Sequence, residues 1–238
     1  MVTSPKRYEY LLFDIDNTLM DFTTGEKTAL FQTMEELRVS ISEADYQIYL
    51  EINRAAWACF EAGELDSTGV QRVRFEHFAA YLGRDVAQGM GMNARYIENL
   101  GQQAILLEGA TDLLERLSRR YQLAVATNGL SLVQRARLVK SDILPLFSGI
   151  FISQEMGVQK PDKAYFEAIF AFYGDSAREK YLMIGDSLSA DILGGINAGI
   201  DTCWYRPAGA ALHGGIVPTY TIDGYADLLA LLDSGSEA

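Results

Sequence analysis

The sequence predicts a doubly wound, Rossmann-like α/β fold, a parallel sheet core with a small all-helical domain inserted after its first strand. Three observations predict it. Short apolar runs alternate with segments of helical spacing over most of the chain, and one long stretch near the N-terminus carries helical spacing alone. The polar residues that follow the apolar runs are of the kinds that ligands meet at the carboxyl edge of such a sheet.

Taken in order, Tyr10-Leu11-Leu12-Phe13 is apolar on consecutive positions, the pattern of a strand buried on both faces. From Phe22 to Leu106 no convincing strand occurs. Leu30/Phe31/Met34/Leu37, Ile48/Tyr49/Ile52/Ala56/Phe60, Val70/Arg74/Phe78/Tyr81 and Tyr96/Ile97/Leu100/Ala104 instead mark three or four amphipathic helices. Their helical spacing puts Trp57, Phe60, Phe75 and Phe78 in a core, and Arg72 and Arg74 are read as solvated.

Alternation then resumes. A helix carrying Leu113, Leu114 and Leu117 leads to the strand Leu123–Ala126, followed by the strand Ile150–Ile152. Phe166, Ile169, Phe170 and Tyr173 mark a helix before the strand Tyr181–Ile184, and Ile192, Ile196 and Ala198 another before the strand Thr202–Tyr205. Gly194-Gly195 within that last helix costs about 1 kcal/mol per glycine against alanine, which close packing onto the sheet would explain. Residues 1–21 and 107–238 are therefore expected to form the core, and residues 22–106 the inserted helical domain, its two ends meeting at the insertion point. The tail from Ser234 is expected to fray.

Composition narrows the function. The chain has 238 residues, 49% of them hydrophobic, ample for a packed core, and a formal charge of −12. So acidic a surface repels phosphate backbones and argues against a polymeric nucleic-acid partner. No apolar run approaches the ~20 residues that span a bilayer, so no membrane partner is expected. Met1 to Glu9 lacks the apolar stretch of a signal peptide, and two cysteines, Cys59 and Cys203, make no disulfide scaffold. The expected setting is the cytoplasm.

The first strand ends in Asp14-Ile15-Asp16-Asn17-Thr18, the second in Thr127-Asn128-Gly129, and the fourth in Gly185-Asp186-Ser187 with Asp191 a helical turn on. Lys160-Pro161 lies in a loop after the third. Carboxylates gathered at one sheet edge repel one another unless a hard cation with oxygen ligands compensates, and Mg²⁺ suits carboxylates plus a substrate phosphate. The two histidines, His77 and His213, follow none of the strands and receive no role, which leaves carboxylates for nucleophilic and acid–base work.

These residues resemble a family. Asp14-Ile15-Asp16-Asn17-Thr18-Leu19, Thr127, Lys160-Pro161 and Gly185-Asp186 with Asp191 look like the four ordered motifs of the haloacid dehalogenase-like hydrolases, and the helical insert matches that family's cap. Dehalogenase members typically lack the second aspartate of the first motif, so Asp16 implies a phosphatase. The resemblance implies Asp14 as the nucleophile that becomes an aspartyl phosphate, and Asp16 as the acid and base. It implies Thr127, Asn128 and Lys160 on the substrate, and Mg²⁺ on the Asp14 carboxylate, the Asp16 backbone carbonyl and the Asp186 carboxylate. Asp191 is implied behind them, orienting water or Lys160.

Finer features are similar to one branch of the family, the house-cleaning nucleotidases that act on pyrimidine nucleoside monophosphates. They are Asn17, Asp21-Phe22, Thr127-Asn128-Gly129, the run Ile192–Gly199, Thr202-Cys203-Trp204, and in the insert Trp57 and Arg74-Phe75-Glu76. The small phosphorylated substrate implied is a nucleoside 5′-monophosphate. A phosphatase for a sugar phosphate or phosphoglycolate, a phosphomutase, and a phosphometabolite-binding protein without turnover stay open as alternatives.

Overall fold

The computed structural model describes residues 8–206, 209–212 and 214–234, so the readings made for the N-terminal residues, for His213 and for the tail beyond Ser234 lie outside it. Six parallel strands form one sheet: β1 (Tyr10–Phe13), β2 (Gln122–Thr127), β3 (Gly149–Ile152), β4 (Tyr181–Gly185), β5 (Asp201–Tyr205) and β6 (Tyr220–Ile222). Their order is β3-β2-β1-β4-β5-β6. After β1 come α1 (Phe22–Glu36), α2 (Glu43–Glu61), α3 (Ser67–Tyr81) and α4 (Gly89–Gly101). The rest alternate with strands: α5 (Ala110–Leu117), α6 (Ser131–Lys140), α7 (Ser153–Met156), α8 (Lys163–Tyr173), α9 (Leu193–Ala198) and α10 (Tyr225–Ser234). This is the α/β architecture with a helical insertion that the sequence predicts.

Strand order positions the site. Central β1 pairs Phe13 with Val125 of β2 on one side and with Ile184 of β4 on the other. Asp14, Ala126-Thr127 and Gly185-Asp186 therefore emerge side by side, at the point where the chain order reverses and ligands bind in open α/β sheets. Below them, Phe166, Ile169 and Phe170 of α8 pack on Leu12, Ala124, Ala126 and Met183, a fully desolvated layer. Each such side chain contributes about 1.5–3 kcal/mol. The paired glycines of α9 have the predicted cause: a Cβ on Gly195 would meet the Thr202 methyl and Met183, and one on Gly194 would lie 2.8 Å from the Phe166 ring. Edge strand β6 has a single neighbour and three residues, too short for a strand pattern to register in the sequence.

By contacts the chain divides into two compact units, one running through Asp21, over Leu106–Ser131 and from Ser141 on, the other comprising Phe22–Ile105 with Leu132–Lys140. In the helical unit α1 packs on α4, α2 on α3 and α3 on α4. Local sequence starts these helices: Ser42 and Asp45 form a reciprocal capping box at α2, and Asp66 caps α3 by accepting the Gly69 N–H at 2.6 Å. Helix α6 joins this unit through buried Arg137, whose Nε donates to the Gln103 carbonyl at 3.0 Å. Phe60, Phe75 and Phe78 are buried as predicted, and Trp57 is half-buried against Phe60.

Arg74 corrects the sequence reading. Arg72 is solvated and pairs with Glu76, but Arg74 is only 2% exposed. Residues two apart on a helix point roughly 200° away from each other, so the two arginines cannot share a face. Arg74 donates to the side-chain oxygens of Asn53 and Asn93, each at 3.1 Å, and stacks over Tyr96 and Phe75. Asn53 in turn donates to buried Glu26 at 2.7 Å. A buried cation is tolerated there because polar partners and ring faces replace its water.

Candidate active site

Strand β1 delivers Asp14 while still paired: its N–H bonds the Ile184 carbonyl at 2.9 Å, so the carboxylate leaves the sheet from a fixed backbone. Beyond it the chain folds back tightly. The Ile15 carbonyl accepts from the N–H groups of Leu19 and Met20, both at 2.9 Å, and the Asn17 N–H reaches the Met20 carbonyl at 2.8 Å. Asn17 sits at φ 56°, a left-handed conformation that asparagine adopts more readily than most residues. That explains asparagine at this position. Asp16, within the turn, is half-buried.

Strand β2 ends in Thr127, whose hydroxyl accepts the Gly129 N–H at 3.0 Å and so shapes the turn after it. The Asn128 side chain grips the Lys160 backbone at two points, accepting its N–H at 3.0 Å and donating to its carbonyl at 2.8 Å. This clamp ties the loop after β2 to the loop before α8. From there the Lys160 side chain, 1% exposed, directs its ammonium to Asp14 Oδ1 at 2.9 Å, Asp191 Oδ1 at 2.5 Å and the Ala126 carbonyl at 2.6 Å.

Strand β4 delivers Asp186 through Gly185. A Cβ on Gly185 would collide with the Asp191 carboxylate and lie 2.7 Å from Asp191 Cβ, so only glycine admits that side chain. Asp191 is carried by a wide helical turn, Leu188–Ile192, in which the Ile192 N–H bonds the Ser187 carbonyl at 3.1 Å, five residues back. Its second oxygen accepts the Ser187 N–H at 3.0 Å. One oxygen each from Asp14, Asp186 and Asp191 lie within 4.8 Å of one another.

Electrostatics follow from this crowding. Burial, together with the neighbouring carboxylates of Asp191 and Asp16, raises Asp14 to about 7 even though Lys160 pulls it down. Asp186 is pushed up to about 9 by burial and then by Asp14 and Asp191. Burial alone would depress the Lys160 ammonium, but Asp14 and Asp191 outweigh it and hold the group well above its ordinary value. Fully ionised, three carboxylates against one ammonium would leave two negative charges. All the donors are oxygens. A divalent hard cation fits both the charge and the donor set.

The structure thus brings together Asp14, Asp16, Thr127, Asn128, Lys160, Asp186 and Asp191 on the loops at one sheet edge, where the sequence expects them. Details that pattern alone missed are the Asn128 clamp, the use of all three Lys160 donors by the protein, and the steric need for Gly185. A glycine closing an otherwise apolar strand was the available signal for the last of these. The Trp204 indole, on β5, also donates to the Asp186 carbonyl at 2.8 Å.

Comparisons with known proteins agree with this geometry. The haloacid dehalogenase-like hydrolase family matches residues 8–199. The chain is 41% identical over 227 residues, 95% of either chain, to the pyrimidine 5′-nucleotidase PynA of Streptococcus pneumoniae. It is 33% identical to the pyrimidine 5′-nucleotidase YjjG of Escherichia coli, over 95% of this chain and 98% of that one. The crystal structure of the HAD-hydrolase YfnB of Bacillus subtilis, bound to magnesium, is similar with a TM-score of 0.90 at 37% identity, covering 96% of this chain and 100% of that one.

Proposed function

Because the chain belongs to the haloacid dehalogenase-like hydrolases and is a phosphomonoesterase of that family, we propose that it removes the phosphate from pyrimidine nucleoside 5′-monophosphates. The observation that carries the substrate class is similarity along 95% of the chain to two relatives named as pyrimidine 5′-nucleotidases. Its substrate is a small phosphorylated molecule, and among the described residues no helix is long and apolar enough to cross a membrane. Two free cysteines suit work in the cytoplasm.

In this reading Asp14 attacks phosphorus in line and carries the phosphoryl group as an acyl phosphate. Burial makes it a stronger base than an exposed carboxylate, and Lys160 at 2.9 Å favours its ionised form and aims it. Asp16 gives a proton to the leaving oxygen, then takes one from the water that cleaves the intermediate. Thr127 and the loop at Asn128 hold phosphoryl oxygens. Lys160, with its three donors already engaged by Asp14, Ala126 and Asp191, meets the phosphoryl group by sharing a donor beside the nucleophile. Asp191 keeps it there.

The Asp14 and Asp186 carboxylates with the Asp16 backbone carbonyl would hold Mg²⁺, leaving Asp191 to Lys160 and Ser187. Bound there, the cation supplies positive charge for the phosphoryl oxygens. Residues 22–106 serve as the cap whose side chains choose the substrate.

The test is a panel of dUMP, UMP, dTMP, purine monophosphates, sugar phosphates and phosphoglycolate at equal concentration, with and without Mg²⁺. The highest kcat/KM belongs to the pyrimidine monophosphates, and the reaction needs the cation. Preference for a sugar phosphate or phosphoglycolate over every nucleotide overturns the substrate. No phosphate released from any of them overturns the enzyme itself.

A further inference from the structure

We propose that Trp204 is a positioning residue for the metal-holding carboxylate Asp186, acting through a single peptide group that it grips from the side opposite Asp191. The Asp186 carbonyl and the Ser187 N–H are two ends of one peptide. Trp204 Nε1 donates to the carbonyl end at 2.8 Å, and Asp191 Oδ2 accepts from the amide end at 3.0 Å. A peptide held at both ends cannot rotate, which fixes the backbone torsions on either side of it and with them the direction in which Asp186 leaves the chain. Gly185 and Asp186 otherwise form the last step out of the sheet, where ladder pairing ends.

Trp204 is built to hold this grip. It lies on β5 in register with Gly185 and is 2% exposed. It packs against Leu188 and Ile192, the first and last residues of the wide turn that carries Asp191. One side chain thereby steadies the Asp186 peptide by a hydrogen bond and the Asp191 turn by contact. Asp191 continues the line to Lys160 at 2.5 Å, and Lys160 to Asp14 at 2.9 Å. Trp204 acts through the Asp186 peptide and the Asp191 turn. Hydrogen bonds behind a metal ligand govern affinity because they set the ligand's orientation before the ion arrives.

This inference rests on the proposed metal site, and its test separates the two. Trp204→Phe keeps an aromatic ring on β5 and removes the indole N–H. Calorimetric titration of the metal-free protein with Mg²⁺ should show affinity lowered roughly tenfold or more. The Mg²⁺ concentration for half-maximal rate rises in parallel, and kcat at saturating Mg²⁺ falls by less than the affinity does. Unfolding in EDTA stays a single cooperative transition. Wild-type Mg²⁺ affinity in a folded Trp204→Phe protein overturns the proposal, and so does a loss of kcat with no loss of affinity. Should that variant fail to fold, β-(3-benzothienyl)alanine in place of tryptophan in a Trp57→Phe background keeps the bicyclic shape without the N–H. Wild-type affinity there overturns the proposal equally. A wild-type protein that binds no Mg²⁺ refutes the metal-site reading itself.

Discussion

Asp191→Asn tests how the site is held together, because it removes one charge at nearly constant size. Asp191 accepts from Lys160 at 2.5 Å and from the Ser187 N–H at 3.0 Å, and both partners of the ion pair are 1% exposed. Losing one member of a buried ion pair costs about 3–5 kcal/mol. Lys160 keeps Asp14 and the Ala126 carbonyl, and the asparagine oxygen still accepts a hydrogen bond, which reduces the expected cost to about 2–3 kcal/mol. For a chain of this size that is a fall in melting temperature of roughly 4–12 °C, measured without metal. Turnover falls roughly a hundredfold, because an ammonium displaced by even an ångström no longer holds the nucleophile in line. The substitution has a second signature. Asp191 helps to raise both Asp14 and Asp186, so both ionise at lower pH in the variant. A variant with the wild-type melting temperature and wild-type kcat would show that Asp191 does not tether Lys160, and the linked account of the site would fail.

Asp14→Asn should abolish turnover and leave the circular dichroism spectrum and melting profile of a folded protein; residual turnover near wild type refutes the nucleophile. Gly185→Ala drives a methyl group into the Asp191 carboxylate and should destabilise by about 1–3 kcal/mol with a loss of kcat, whereas a silent alanine would contradict the packing. Arg74→Met strands the side-chain oxygens of Asn53 and Asn93 inside the helical unit, a cost of about 2–4 kcal/mol in denaturant unfolding, and an unchanged midpoint would count against that network. Without metal, burial before all else raises Asp14 to about 7 and Asp186 to about 9. From about pH 4 upward the folded state holds protons that the unfolded chain has lost, so stability falls as pH rises toward 7 and 9 and levels off above, and Mg²⁺ affinity climbs until both carboxylates are ionised. Calorimetry in buffers of different ionisation heat counts the protons that Mg²⁺ releases, and no release at neutral pH would contradict this.

The strands of the core were legible because parallel strands covered on both faces must be apolar at consecutive positions, and Tyr10–Phe13 and Tyr181–Ile184 are. The site residues were legible because each follows such a run, where the sheet edge collects them. Edge strand β6 and helices α6 and α10 left weaker signals: β6 is too short, and α6 exposes Leu132 and Val139 and so blurs its apolar stripe. Arg74 was misread because charge is a poor guide to burial once partners exist. No pattern in the chain states that Asn53 and Asn93, nineteen or more residues from it, will supply them.

Residue order by itself determined the fold class, the insertion after the first strand and the set of carboxylates and lysine brought to one sheet edge, since these depend on local periodicity and on where each apolar run stops. Tertiary structure alone decided who holds whom. That Lys160 spends its donors on Asp14, Asp191 and Ala126, that Asn128 clamps its backbone, and that Trp204 grips the Asp186 carbonyl are contacts between segments far apart in the chain. Such contacts depend on distances of a few ångströms between side chains whose sequence separation carries no information about them, and only the packed sheet fixes those distances.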